Sequence, residues 1–185
     1  MREVGTKRLE TERLVLRRFT KQDAKEIFEG FVNQKEFLYY TNKKPVTLEE
    51  EIQSLENINE KYENKNYYNW IIALKNSQKI IGAINFHVNL KNNSIMFNYA
   101  IDNRFTRQGF MTEALMCVKQ FAFNEIDVHR FEGGCAKENI ASKKVMEKCG
   151  LVQEGILKDY IKLADGYHDM IMFSEIKQLN KDQSK

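Results

Sequence analysis

The order in which hydrophobic periods alternate between residues 68 and 136 restricts this chain more than any other feature. Residues 68–74, 80–88 and 94–102 are β-like runs separated by short polar turns at 76–79 and 89–93, the pattern of an antiparallel meander. The third run enters a polar turn holding Arg104, Arg107 and a single glycine, Gly109. A helical run over 112–124 leaves that turn, with Ala114, Leu115, Val118, Phe121 and Ala122 at buried spacing. The first N–H groups of a helix lack internal partners and carry the positive end of the macrodipole. Strand, polar turn and helix together therefore aim free N–H groups at an anion, and Gly109 permits positive φ or close approach to a phosphate. The residues alone leave two readings of this stretch, an anion site and an ordinary turn.

The flanking segments have the same mixed texture. Leu14 and Leu16 alternate with Arg13 and Arg17 at the end of a strand over 9–18, which gives it one buried face. Thr20 with Asp23 opens a helix over 23–32, with Ala24, Ile27, Phe28 and Phe31 on one side. Residues 34–46 mix polar and aromatic side chains up to Lys44-Pro45 and read as a turn of helix and a loop. Thr47 caps a second helix that runs to about residue 64, with Ile52, Leu55, Ile58 and Tyr62 inward. A strand over 129–136 and a short helix from the cap Asn139 to the stop at Gly150 follow. Strands over 151–163 and 167–176 flank Asp165-Gly166, which reads as a type I′ turn pair. A polar tail, expected to fray, covers 177–185. Antiparallel strands with helices interleaved give an α+β class, often filed as α/β.

Composition excludes several function classes. A chain of 185 residues with 42% hydrophobic content buries a substantial core and is not disordered. Pro45 is its only proline and no Gly/Ser-rich run interrupts it, so one domain over 1–185 is expected, its core over about 9–177. The net charge of +3 is close to balance and lends no support to nucleic-acid binding. No run approaches the roughly 20 apolar residues a membrane helix needs, and residues 1–8 lack the apolar core of a signal peptide. Cys117, Cys135 and Cys149 are odd in number and widely spaced, with no C-x-x-C. That usage predicts reduced thiols, a cytoplasmic location and no bound metal.

Taken in order, a set of short motifs has a family resemblance. They are Thr11-Glu-Arg-Leu-Val-Leu-Arg17 with Asp23-Ala24, Ile80-Ile-Gly-Ala83, Gln108-Gly-Phe-Met-Thr-Glu-Ala114, His129-Arg130, Asn139-Ile-Ala-Ser142, Glu147-Lys-Cys-Gly150, and Glu154-Gly155 with Gly166 and Asp169. The chain resembles the GNAT superfamily of acyl-coenzyme A N-acyltransferases, and within it the RimJ/RimL-like group of ribosomal-protein N-terminal acetyltransferases. The resemblance runs from Leu9 to about Lys177. It implies a mostly antiparallel central sheet, splayed between strands 94–102 and 129–136, with helices on both faces. It also implies acetyl-coenzyme A as co-substrate and direct acetyl transfer to a primary amine, either a protein N-terminal α-amine or a small-molecule amine. A homodimer is compatible with it. The alternative is an acyl-coenzyme A-binding sensor or assembly protein with the same fold and little turnover. Two departures motivate that alternative: Thr106 stands where the family has Gln, Arg or Trp, and Met111 where it has a small residue.

The resemblance also implies a site. The pantetheine adds to the strand edge at Tyr99 and Ile101. The pyrophosphate meets the turn formed by Arg107, Gln108, Gly109, Phe110, Met111 and Thr112. Asn139 hydrogen-bonds the pantetheine, Ser142 donates to the leaving thiolate, and Lys144, with Lys143, lies near the adenosine phosphates. Spacing alone makes Asn139 a helix cap and Ser142 solvent-facing. The acceptor is expected between Phe37 and Tyr39 on one side and Asn69 and Trp70 on the other, although aromatics in a strand are also ordinary core. The base is not legible: Glu36, Glu132 and His87 are candidates, and a water relay fits equally well. Asn69 stands where some relatives carry Glu. Cys135 as an acylated nucleophile is disfavoured, since no His neighbours it in sequence and a buried Cys behaves as a small hydrophobe.

Overall fold

The computed structural model describes residues 1–178; of the polar tail expected over 177–185, all but the first two residues lie outside them. Eight strands form one sheet: β1 (Leu9–Glu10), β2 (Leu14–Arg17), β3 (Tyr68–Leu74), β4 (Ile80–Asn89), β5 (Ser94–Ile101), β6 (Arg130–Ala136), β7 (Val152–Leu163) and β8 (Gly166–Ile176). Their order is β1-β2-β3-β4-β5-β6-β8-β7. Every neighbouring pair is antiparallel except β5 and β6. Five α-helices accompany the sheet: α1 (Ala24–Gly30), α2 (Lys35–Thr41), α3 (Leu48–Lys61), α4 (Phe110–Phe121) and α5 (Ile140–Lys148).

The alternation along β3 explains the layers. Successive side chains point to opposite faces. Tyr68, Trp70 and Ile72 join Leu115, Val118 and Phe121 of α4 in the larger core. Ile71, on the other face, packs with Ile27 of α1 and Leu55 of α3. Both faces of this strand are thus covered, which is why its composition is apolar almost throughout.

Three local expectations are corrected. The strand over 9–18 is a hairpin of β1 and β2, because Thr11 closes a turn: its N–H donates to the Leu14 carbonyl, and its Oγ1 accepts from the Leu14 N–H. Residues 35–41 form the helix α2 instead of one turn and a loop, and Asn42 ends it in the left-handed region at φ 51°. The β7–β8 loop is Ala164–Asp165, and neither residue has the positive φ that a type I′ turn requires.

Glu51 of α3 is 8% exposed. Burial pushes its carboxyl pKa up, with Lys43 opposing. Because the folded value lies above the unfolded one, the favourable contribution belongs to the protonated form; it is present at low pH and is lost as pH rises through the folded value. Glu51→Gln is therefore expected to raise the thermal midpoint at pH 7 by about 2–4 °C, and the gain should shrink as the pH falls towards 4. A midpoint no higher than the parent's at pH 7 would show that the charged carboxylate is not a burden there.

Candidate functional site

β5 and β6 pair only from Ser94↔Arg130 to Met96↔Glu132. Beyond that point β5 follows β4 and β6 follows β8, and the two strands part. The Phe97 ring occupies the space beside Gly133, where any Cβ would come within 2.4 Å of it. That ring stacks on Phe131 at 4.7 Å and on Tyr99 at 6.1 Å between centroids. Further along, the Asp102 N–H donates to the Ile81 carbonyl of β4. By the two-residue alternation of a strand, the N–H groups of Tyr99 and Ile101 therefore point the other way, to the open edge.

At the end of β5 the chain enters the polar turn. Asp102 is fully buried. Burial alone would raise its pKa, but hydrogen bonds from Arg104 and Gln34 hold it below the usual carboxylate range. Arg104 is thus committed to the fold. Arg107 sits at φ 60°, and its guanidinium makes no hydrogen bond or ion pair among the described residues. Gly109, at φ 81°, is the cap of α4, and the helical ladder begins with Glu113 N–H to Gly109 O at 3.0 Å. The N–H groups of Phe110, Met111 and Thr112 consequently have no hydrogen-bond partner among the described residues. Met111 is 5% exposed and packs in the larger core, so its bulk is turned away from the turn. Thr106 donates its hydroxyl to the Asn103 carbonyl at 2.9 Å and closes the preceding 3-10 turn.

The turn is braced from the connection between β1 and β2. Arg13 Nε donates to Glu113 Oε2 at 2.6 Å, and its NH1 donates to the Gln108 carbonyl at 3.1 Å. The same guanidinium lies 4.4 Å from the centre of the Phe110 ring. Thr11 Oγ1 donates to Glu113 Oε1. Burial would raise the Glu113 pKa, yet the Thr11 and Arg13 hydrogen bonds keep it below its ordinary value. Two motifs separated by 100 residues therefore form one strut.

At the mouth of the splay the Tyr99 hydroxyl reaches Ser142 Oγ at 2.7 Å. Burial raises the Tyr99 pKa, and the Ser142 bond opposes the shift. Ser142 is thus held across the splay instead of facing solvent. The Asn139 carboxamide oxygen accepts from the Ser142 N–H at 3.0 Å and caps α5. Only the Tyr99 main chain was anticipated; the role of its hydroxyl was missed, because no local spacing links residues 99 and 142. Cys135 is 5% exposed. Burial pushes its thiol up to about 11, so it is not a thiolate at neutral pH and is a poor acyl nucleophile.

The residues expected on the acceptor side have divided fates. Trp70 is a core residue, with no exposure; its Nε1 donates to the Lys7 carbonyl at 2.7 Å and its ring packs on Phe86 and Phe121. It lines no surface, because the even positions of β3 face α4. Phe37 packs edge-on against Phe31 at 5.8 Å in the smaller core. Tyr39 donates its hydroxyl to Asp165 at 3.1 Å, joining α2 to the β7–β8 loop. Burial raises the pKa of Tyr40 as well, and Glu138, Cys135 and Glu36 add to the shift. Among the candidate bases, Glu36 accepts from Asn103 and Glu132 accepts from Arg130. His87 is exposed and pairs with Met96, where β5 and β6 are still joined. Lys144 is exposed on α5. Among the described residues no helix is long and apolar enough to cross a membrane, and no group of three His, Cys, Asp or Glu is arranged to hold a metal.

Comparison with known proteins places this geometry in context. A family model described as an acetyltransferase (GNAT) domain matches residues 13–152. The uncharacterized N-acetyltransferase YoaA of Bacillus subtilis is 29% identical over 170 residues, covering 91% of this chain and 96% of that protein. Among solved structures, the ribosomal-protein-S5-alanine acetyltransferase from Vibrio fischeri is similar with a TM-score of 0.82 at 24% identity, over 97% of this chain and 100% of that one. RimL, a ribosomal-protein acetyltransferase solved in complex with coenzyme A, gives a TM-score of 0.79 at 20% identity, over 92% and 98%. The sheet, splayed at one parallel pair and flanked by helices on both faces, is the GNAT fold.

Proposed function

Because this chain belongs to the GNAT acetyltransferase family, we propose that it moves an acetyl group from acetyl-coenzyme A directly onto the primary amine of an acceptor. One observation carries the reading. The chain leaves the open edge of β5 through a short turn to the three partnerless N–H groups at the start of α4, and Tyr99 of that edge reaches Ser142. Helix N-termini hold phosphate through such groups. Tyr99 and Ile101 offer main-chain groups to the pantetheine, and the turn from Arg107 to Thr112 takes the pyrophosphate. Asn139 keeps its carboxamide N–H2 for the pantetheine, and Lys144 lies on the helix beside it.

The chemistry is a single displacement at the thioester carbonyl. The neutral amine forms the C–N bond, the C–S bond breaks, and the amine proton leaves to water. The Ser142 hydroxyl, with the Tyr99 hydroxyl beside it, donates a hydrogen bond to the departing thiolate, and the thiolate takes its proton from water. The engagement of Glu36 and Glu132 in other contacts favours water over a side chain as proton acceptor. The three free thiols among the described residues favour a reducing, cytoplasmic setting. Free-thiol release from acetyl-coenzyme A with a panel of amines tests the reading. Tight binding of acetyl-coenzyme A without thiol release in any arm would favour the sensor alternative instead.

The strut from the β1–β2 connection makes a separate prediction. Arg13→Ala removes the donors to Gln108 and Glu113, so the turn loses its brace. The acetyl-coenzyme A dissociation constant is expected to rise about tenfold by calorimetry, with the acceptor KM little changed. Unaltered cofactor affinity would show that the turn keeps its shape unaided.

A further inference from the structure

Three asparagines stand side by side across the sheet. Asn69 of β3 is the register partner of Asn85 in β4, and Asn85 is the partner of Asn98 in β5. Register partners project from the same face. It is the face of Ile71, on the α1 and α3 side, opposite the face of Trp70. Asn69 interrupts a strand that is otherwise apolar, and it is 7% exposed. Its Nδ2 donates to the Tyr67 hydroxyl at 3.0 Å, while its side-chain Oδ1 has no hydrogen-bond partner among the described residues; its main-chain carbonyl accepts from the Tyr62 hydroxyl. Asn85 is half-buried and Asn98 exposed, and neither side chain makes a hydrogen bond among the described residues. Asn69 and Asn85 line a cleft of about 490 Å³ with Asn66 and Lys61. The Asn66 Oδ1 is itself buried without a partner. A buried polar atom left unpaired costs roughly 1–3 kcal/mol, so the Asn66 Oδ1 beside a row of three carboxamides with most of their capacity unused is an arrangement that suits a ligand.

We propose that this ladder is the subsite for the part of the acceptor beyond its reacting amine, and that it takes a neutral chain of amide or hydroxyl groups. The proposal rests on the acetyl-transfer reading. Asn98 adjoins Tyr99 at the open edge, and the ladder descends across two strand spacings, about 10 Å, to the floor at Asn69. A carboxamide both donates and accepts without carrying charge, which matches a peptide main chain or a sugar. A polyamine would call for carboxylates; the cleft is lined by no carboxylate and by one cation, Lys61.

The test follows the side-chain carboxamide resonances of Asn69, Asn85 and Asn98 in the protein saturated with coenzyme A. A pool of hexapeptides with free N-termini, a glucosamine disaccharide and spermidine are added separately. The ladder resonances are expected to shift with the peptides or with the amino sugar, and the responding arm identifies the source. Asn85→Leu is expected to weaken that arm about tenfold while coenzyme A affinity stays unchanged; Asn98→Ala, at an exposed position, repeats the comparison without touching the core. A response to spermidine alone, no response in any arm, or unaltered binding by both variants overturns the proposal. Thiol release from acetyl-coenzyme A, measured with the same three amines in samples without added coenzyme A, separates the two readings: release with spermidine and a silent ladder keeps acetyl transfer and discards the subsite. A responding ladder without release discards acetyl transfer and, with it, the acceptor role of the ladder, which is then a ligand-binding face only.

Discussion

Replacing Ser142 by alanine is expected to lower kcat about 100-fold and to leave the acetyl-coenzyme A dissociation constant within about twofold. The reason is that the hydroxyl is needed as charge develops on the departing sulfur, whereas ground-state contacts of the cofactor are made mostly by main chain. Tyr99→Phe should cost less, about tenfold in kcat, because its hydroxyl acts through the 2.7 Å bond to Ser142 Oγ. The double variant should be no slower than Ser142→Ala alone, since removing the serine removes what the tyrosine supports. A merely structural tyrosine would instead lower stability and raise the cofactor KM. If Ser142→Ala keeps its kcat and loses cofactor affinity, the hydroxyl is a pantetheine contact and does not stabilise the departing thiolate.

Trp70→Ala is expected to destabilise the protein by about 3–5 kcal/mol, read from chemical denaturation. The indole is fully buried among Tyr68, Phe86 and Phe121, and its N–H satisfies the Lys7 carbonyl. Alanine leaves a cavity and an unpaired carbonyl together. Trp70→Phe should retain most of the packing and lose the hydrogen bond, at a cost of about 1–2 kcal/mol, with acceptor KM unchanged. An altered acceptor KM at undiminished stability would return Trp70 to the substrate side.

The sequence by itself determined the elements whose signal is local. The β-rich runs of β3, β4 and β5 with their short polar turns, and Gly109 before α4, follow from backbone geometry within a few residues. So does the Asn139 cap, whose bond to the Ser142 N–H spans three residues. Tertiary structure alone decided the rest. Asn69 and Trp70 were expected together on the acceptor side; as neighbours in a strand they point to opposite faces, and which face α4 covers depends on packing between distant segments. Residues 35–41 have too few turns for a hydrophobic period to show; α2 is held by Gln34 to Asp102 and by the Ala164 N–H to the Tyr39 carbonyl. The Arg13–Glu113 strut joins residues 100 apart and the Tyr99–Ser142 pair residues 43 apart. Such contacts leave no mark in spacing along the chain, because they exist only once the sheet has brought β2 beneath α4 and set α5 across from the free end of β5.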